Sequence, residues 1–183
     1  MRIIAGRLRR RVLKAPTWDG LRPTSDRLKE SLFAILAPVV PGAHVLDGFA
    51  GSGALGLEAV SRGAASVTFV EQDSRAIALI AENLAHCGVS DGYVMIRGDF
   101  SAALRELPGD RRFDLILLDP PYAADDIDAL VCAAGARLAA GGMLVLEHAK
   151  RRPAPECVTG LQCVRRVVAG DSALAFYRRL GTG

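Results

Sequence analysis

The sequence predicts an α/β fold built on a mostly parallel sheet, on three observations. Short apolar runs alternate with helical periods from Val45 to Leu146. A glycine-rich turn follows the first of those runs, and the acidic, proline-rich stop Asp119-Pro120-Pro121-Tyr122 follows the fourth.

The elements follow in order. Thr24 or Ser25 caps a helix reaching about Leu36, with Leu28, Leu32, Phe33, Ile35 and Leu36 on one face, and Pro38 and Pro41 end it. Val45-Leu46 is the first sheet strand. Glycines then lead into a helix running to about Arg62, and Val67 to Val70 is the second strand. The helix from Ser74 to about His86 buries Ile77, Leu79, Ile80 and Leu84. Tyr93 to Ile96 is the third strand, Ser101 to Leu107 a short helix, and Leu115 to Leu118 the fourth strand. Asp125 to Leu138 is helical, Gly141-Gly142 a turn, and Met143 to Leu146 the fifth strand. Val164 to Val168 and Ala173 to Tyr177 alternate around Gly170-Asp171, the pattern of an antiparallel hairpin.

Charge is uneven along the chain. Residues 1–30 hold nine Lys or Arg against three Asp or Glu, a balance of +6; the remainder holds fourteen against seventeen, or −3. Arg2, Arg7, Arg9, Arg10, Arg11, Lys14, Arg22 and Arg27 are candidate phosphate contacts. Ile3, Ile4, Leu8, Val12 and Leu13 interleave with the charges around Gly6, which suits a short β-hairpin arm over residues 1–20 better than a solvated tail. A catalytic domain over 21–183 follows, large enough to bury a core.

Two motifs carry chemistry. Asp119, Pro120, Pro121 and Tyr122 stand at the carboxyl end of a buried strand, where open α/β sheets bind ligands. The Asp119 carboxylate and the Pro120 carbonyl can accept both N–H groups of a planar exocyclic amine, while Tyr122 stacks on the base. Such an amine is a poor nucleophile because its lone pair is delocalised, and two aimed acceptors stabilise charge developing on nitrogen. Upstream, Gly51, Gly53 and Gly56 fit both a dinucleotide turn and a methyl-donor loop, with Glu71 ending the next strand. Asp47, in the turn before the glycines, would repel a pyrophosphate but suits a sulfonium amino acid. The acid therefore favours S-adenosylmethionine over a nicotinamide cofactor.

The chain resembles the bacterial 16S ribosomal RNA guanine-N2 methyltransferases, the RsmD-like proteins. The similarity rests on Arg2-Ile3-Ile4-Ala5-Gly6, Leu21-Arg22-Pro23-Thr24-Ser25-Asp26-Arg27, Asp47 to Ala64, Phe69-Val70-Glu71 and Phe113 to Tyr122. The Arg-Pro-Thr segment is the most particular to that family, and the tail after Lys150 matches weakly. Gly48 departs from the larger apolar residue usual there and is expected to loosen the turn. The resemblance implies a class I, Rossmann-like S-adenosylmethionine-dependent methyltransferase sheet with an antiparallel C-terminal hairpin and an N-terminal RNA-contacting extension. It also implies 16S rRNA or a small-subunit particle as partner.

Site roles follow as expectations. Ala50, Gly51, Ser52 and Gly53 lie against the methionyl part of the donor, with Asp47 near its amino group. Glu71 accepts the ribose hydroxyls, Asp99 bonds the adenine amine unless it only caps a helix, and Phe100 flanks the ring. Glu147 ends the fifth strand, as a pocket residue or a surface acid. Cys87, Cys132, Cys157 and Cys163 lack metal-like spacing, and His44, His86 and His148 are scattered, so no metal is expected. No apolar run reaches the length of about eighteen residues needed for a span, and no secretory signal is evident. The expectation is a cytoplasmic monomer. Rival functions are an amino-methyltransferase acting on DNA bases and a non-catalytic RNA-binding module that retains the fold.

Overall fold

A computed structural model describes residues 1–18, 26–121 and 126–180. The sheet runs β3-β2-β1-β4-β5-β8-β7-β6. Its strands are β1 (His44–Gly48), β2 (Ser66–Glu71), β3 (Tyr93–Arg97), β4 (Phe113–Leu118), β5 (Leu138–Ala149), β6 (Cys157–Val158), β7 (Leu161–Ala169) and β8 (Ser172–Arg179). β1 to β5 are parallel; β8 pairs antiparallel with β5, β7 with β8, and β6 with β7. The chain reverses its direction of travel across the sheet between β1 and β4, so their carboxyl ends form the crevice where such folds hold ligands.

Strand alternation sorts side chains onto two cores. Val45, Val67, Phe69, Leu115, Leu117 and Val145 face a layer containing α1 (Asp26–Leu36), α2 (Ala54–Ser61) and α3 (Ser74–His86). Leu46, Val70, Ile116, Leu118, Leu144 and Leu146 face α4 (Phe100–Glu106) and α5 (Ile127–Gly135). Strands buried on both faces read as continuous apolar runs, which is why the parallel strands are recognisable from sequence.

Several boundaries differ from expectation for physical reasons. Asp47 and Gly48 belong to β1 rather than to the turn, because both pair with β2 and β4. α4 begins at Phe100, since Asp99 caps it through Oδ1 to the Ala102 amide at 3.0 Å. α5 stops at Gly135 rather than Leu138. Gly141-Gly142 is no separate turn: it lies inside β5, where pairing to β4 skips register and Gly141 adopts φ 75°. That is a bulge. The expected cap of α1 at Thr24 or Ser25 falls outside the described residues.

The basic N-terminal segment is not a regular hairpin. A single antiparallel bridge, Arg2 to Val12, closes a run of turns. Ile3, Leu8 and Leu13 are buried in the same core as α2. The buried Glu58 accepts the backbone amides of Ile4 at 2.8 Å and Ala5 at 3.0 Å, and Arg62 Nε at 2.7 Å. Ser61 Oγ accepts the Leu8 amide at 2.9 Å, and its carbonyl accepts that of Arg7 at 2.8 Å. At Gly6 (φ 83°) any Cβ would lie 1.9 Å from the Ser61 carbonyl oxygen, so only glycine allows this approach. The segment is a strap laid over α2, which is buried along its whole length.

Candidate active site

At the carboxyl end of β1 the backbone turns through Phe49 at φ 63°, then Gly51 at φ 56° and Gly53 at φ 77°. A left-handed phenylalanine costs about 1–2 kcal/mol, so the surroundings must impose it. They do. The Ala50 amide donates to Val70 O at 3.0 Å, and the Gly53 amide to Ala50 O at 2.7 Å. The Gly51 amide donates to Glu71 Oε2 at 2.9 Å. Asn83, fully buried, donates to Ser52 O at 3.0 Å and to Lys14 O at 3.2 Å, and its Oδ1 accepts the Lys14 amide at 2.8 Å.

Asp47 lies beneath this loop rather than beside open space. It is 1 % exposed, faces the α2 side, and accepts the Gly56 amide at 2.8 Å. Burial pushes its carboxyl up to about 8, so the group is largely protonated at neutral pH. The expectation put it near a ligand's amino group; its hydrogen bond here is from the protein itself, at the start of α2. Gly56 is needed for the same packing, because a Cβ would meet the Phe69 ring at 2.2 Å and Asp47 Oδ2 at 2.9 Å.

Glu71 is 8 % exposed and accepts the Gly51 amide and, at 2.9 Å, the Asp73 amide, one on each oxygen. A carboxylate offers about four lone-pair positions, so two stay available for hydroxyl donors. It lines a recess of about 180 Å³ with Phe49, Val70, Gln72, Gly98 and Phe100. The Phe49 and Phe100 rings pack at a 30° tilt with centroids 5.0 Å apart. Gly48 makes room for this pair: a Cβ there would lie 2.5 Å from Phe100 and 2.9 Å from Leu118. The glycine is filled space, not a loosened turn. Asp99, exposed, is occupied at Oδ1 by capping α4.

Across the β1–β4 seam, Asp119 is half-buried, Pro120 buried and Pro121 exposed, while Tyr122 lies outside the described residues. A second recess, about 260 Å³, is lined by Pro120, Pro121, Ile127, Glu147, His148 and Arg152. Glu147 is 8 % exposed and burial raises its carboxyl above the ordinary range, against a hydrogen bond from Ser172. Sequence reasoning did not single out Phe49, Gln72 or His148, which line these recesses; the position of His148 at the end of a buried run, next to Glu147, is the signal that could have found it.

The basic candidates divide. Arg2 pairs with Asp26 at 3.3 Å, Lys14 with Glu82 at 2.9 Å, and Arg11 Nη1 donates to His86 O at 2.9 Å. Arg7, Arg9, Arg10 and Arg27 are exposed and make no ion pair among the described residues. Arg22 lies outside those residues.

A family model described as Conserved hypothetical protein 95 matches residues 1–178. The chain is 35 % identical to ribosomal RNA small subunit methyltransferase D of Escherichia coli K12 over 186 aligned positions, covering 100 % of this chain and 92 % of that protein. It is 40 % identical to the protein of the same name from Haemophilus influenzae, over 72 % of this chain and 70 % of the relative. The solved structure of a hypothetical protein from Thermus thermophilus superposes with a TM-score of 0.83 at 34 % identity, covering 96 % of this chain and 98 % of that one. On these matches the chain belongs to the ribosomal RNA small subunit methyltransferase D family.

Proposed function

We propose that this chain methylates the exocyclic N2 amine of a guanine in small-subunit ribosomal RNA, with the base turned out of its stack. As a member of its family the chain is a ribosomal RNA methyltransferase, and S-adenosylmethionine is its methyl donor. The observation that carries the finer reading is the pair of recesses flanking the β1–β4 seam. One is lined by the Glu71 carboxylate and the Phe49 and Phe100 rings; the other is lined by Pro120 and Pro121, next in the chain to Asp119.

The residues present fit the donor. Glu71 keeps two lone-pair positions for ribose hydroxyls, the Phe49–Phe100 pair offers an apolar wall to an adenine ring, and Gly51 and Gly53 let a ligand approach the backbone. S-adenosylmethionine, when bound, supplies an electrophilic methyl group on a sulfonium that leaves readily. Asp47 acts indirectly, holding the start of α2 and hence the loop.

On the other side, the Asp119 carboxylate and the Pro120 carbonyl accept the two N–H groups of the amine and favour its pyramidal form. Tyr122 stacks on the base, offsetting about 1–3 kcal/mol of the unstacking cost. The protein's contribution is orientation and charge stabilisation. The exposed Arg7, Arg9 and Arg10 on the strap, with Arg27 on α1, contact phosphates.

The test is transfer of labelled methyl to naked small-subunit RNA, small-subunit particles and duplex DNA, followed by nucleoside analysis. N2-methylguanosine from either RNA sample is the expected product. Label on adenine, cytosine or DNA overturns the proposal.

A further inference from the structure

His148 carries the one buried side-chain atom left without a hydrogen-bond partner among the described residues, its Nε2. The residue is 7 % exposed and stands one place before the end of β5. Its Nδ1 lies 3.0 Å from the carbonyl oxygens of both Ala149 and Arg152. Carbonyls only accept, so Nδ1 carries the hydrogen. In the neutral ring Nε2 is then a bare acceptor. The orientation is fixed locally, because the Arg152 amide also closes onto Ala149 O at 2.9 Å and makes the turn that presents both carbonyls.

This acceptor belongs to the amine side of the crevice. β4 and β5 are parallel neighbours, with Leu118 paired to Leu146. Two residues further on, Pro120 and His148 line the same 260 Å³ recess. His148 also shares the strand face of Leu144 and Leu146, turned towards α5. A buried acceptor without a donor is a penalty in the free protein that a ligand donor removes.

We propose that His148 Nε2 accepts a hydrogen bond from the ring N1–H of the target base, which makes His148 the residue that selects guanine over adenine. This rests on the guanine reading of the Asp119-Pro120 site. Guanine places N1–H directly beside its N2 amine, so an amine held at Pro120 brings that hydrogen towards the neighbouring acceptor. Adenine presents a lone pair at N1 and would set acceptor against acceptor. Sites built to take a substrate hydrogen reject analogues that lack it by large factors.

Two variants separate the ring nitrogens. His148→Asn keeps a donor for the Ala149 and Arg152 carbonyls and removes the Nε2 acceptor; His148→Gln keeps an acceptor at the distance of Nε2 along the side chain. Small-subunit RNA is first methylated by wild type to locate the labelled guanine. RNA is then ligated with guanine or with 2-aminopurine at that position, which retains the amine but has no N1–H. Expected for wild type is a guanine preference of about 100-fold or more in kcat/KM. His148→Asn should lower guanine turnover by a similar factor and erase most of that preference, with S-adenosylhomocysteine affinity within about twofold. His148→Gln should recover guanine turnover to within about tenfold of wild type. A guanine to 2-aminopurine ratio unchanged in His148→Asn overturns the assignment while leaving the parent reading intact. Wild type that labels adenine or cytosine in place of guanine overturns both.

Discussion

The two sides of the β1–β4 seam differ in how completely their buried polar groups are partnered. On the glycine-loop side, Glu71, Asp47 and Asn83 are committed to backbone amides or carbonyls of the protein itself. Across the seam, His148 Nε2 has no partner among the described residues. On the proposed reading the first side holds its ligand by shape and leftover lone pairs, and the second offers a substrate one buried acceptor. Changes on the first side should therefore appear mainly in stability, and on the second mainly in turnover.

The largest expected effect is on the second side. Asp119→Ala should lower kcat/KM for guanine methylation by about 10²–10³-fold, with melting temperature and S-adenosylhomocysteine affinity near wild type. Loss of cofactor affinity in parallel with turnover would break the division between the two sides.

Next comes Asp47. Below its ordinary value of 3.8 the carboxyl is protonated folded or unfolded. As pH rises towards about 8, the unfolded chain releases that proton while the folded chain keeps it, so this group's contribution to stability falls across the window. Asp47→Asn retains an acceptor for the Gly56 amide and removes the titration. Urea denaturation at pH 5 and pH 8 should show wild type losing stability relative to this variant, by roughly 3 kcal/mol. Parallel profiles would mean that Asp47 ionises freely.

Gly56→Ala comes third. Its new methyl meets Phe69 within a closed core, and a net loss of about 2 kcal/mol is expected after the gain in helix propensity. Calorimetry checks it. The smallest change per residue is charge removal at Arg7, Arg9 and Arg10. Their joint replacement by Gln should weaken RNA binding and reduce the salt slope by about 0.7 for each phosphate no longer neutralised, with the melting temperature unmoved. An unaltered slope would return these side chains to solvent.

The central sheet was legible because its strands are apolar runs ended by glycine or proline, and both punctuating motifs sit at the crevice. The glycine loop, Glu71 and the Asp119-Pro120 stop were legible as strand ends at the crevice from residue type and spacing. Their partners were not. Gly56, Gly51 and Asp73 contribute backbone amides, which no sequence pattern displays, so the bond from the Gly56 amide to Asp47 was not legible. His148 escaped notice because its partners are carbonyls of a turn formed only in the fold. The strap misled in a similar manner: alternating Ile, Leu and Arg suggested a free-standing hairpin, whereas Glu58, Ser61 and Asn83, far along the chain, supply its bonds.

That strap limits how substrate recognition can be altered. Its arginines point outward while Ile3, Leu8 and Leu13 complete the interior above α2. Excising the whole strap would strip a helix bare and leave the Glu58 carboxylate without two of its donors. The proposed contact with the nucleic acid can thus be repainted one surface side chain at a time, but it cannot be amputated from the enzyme.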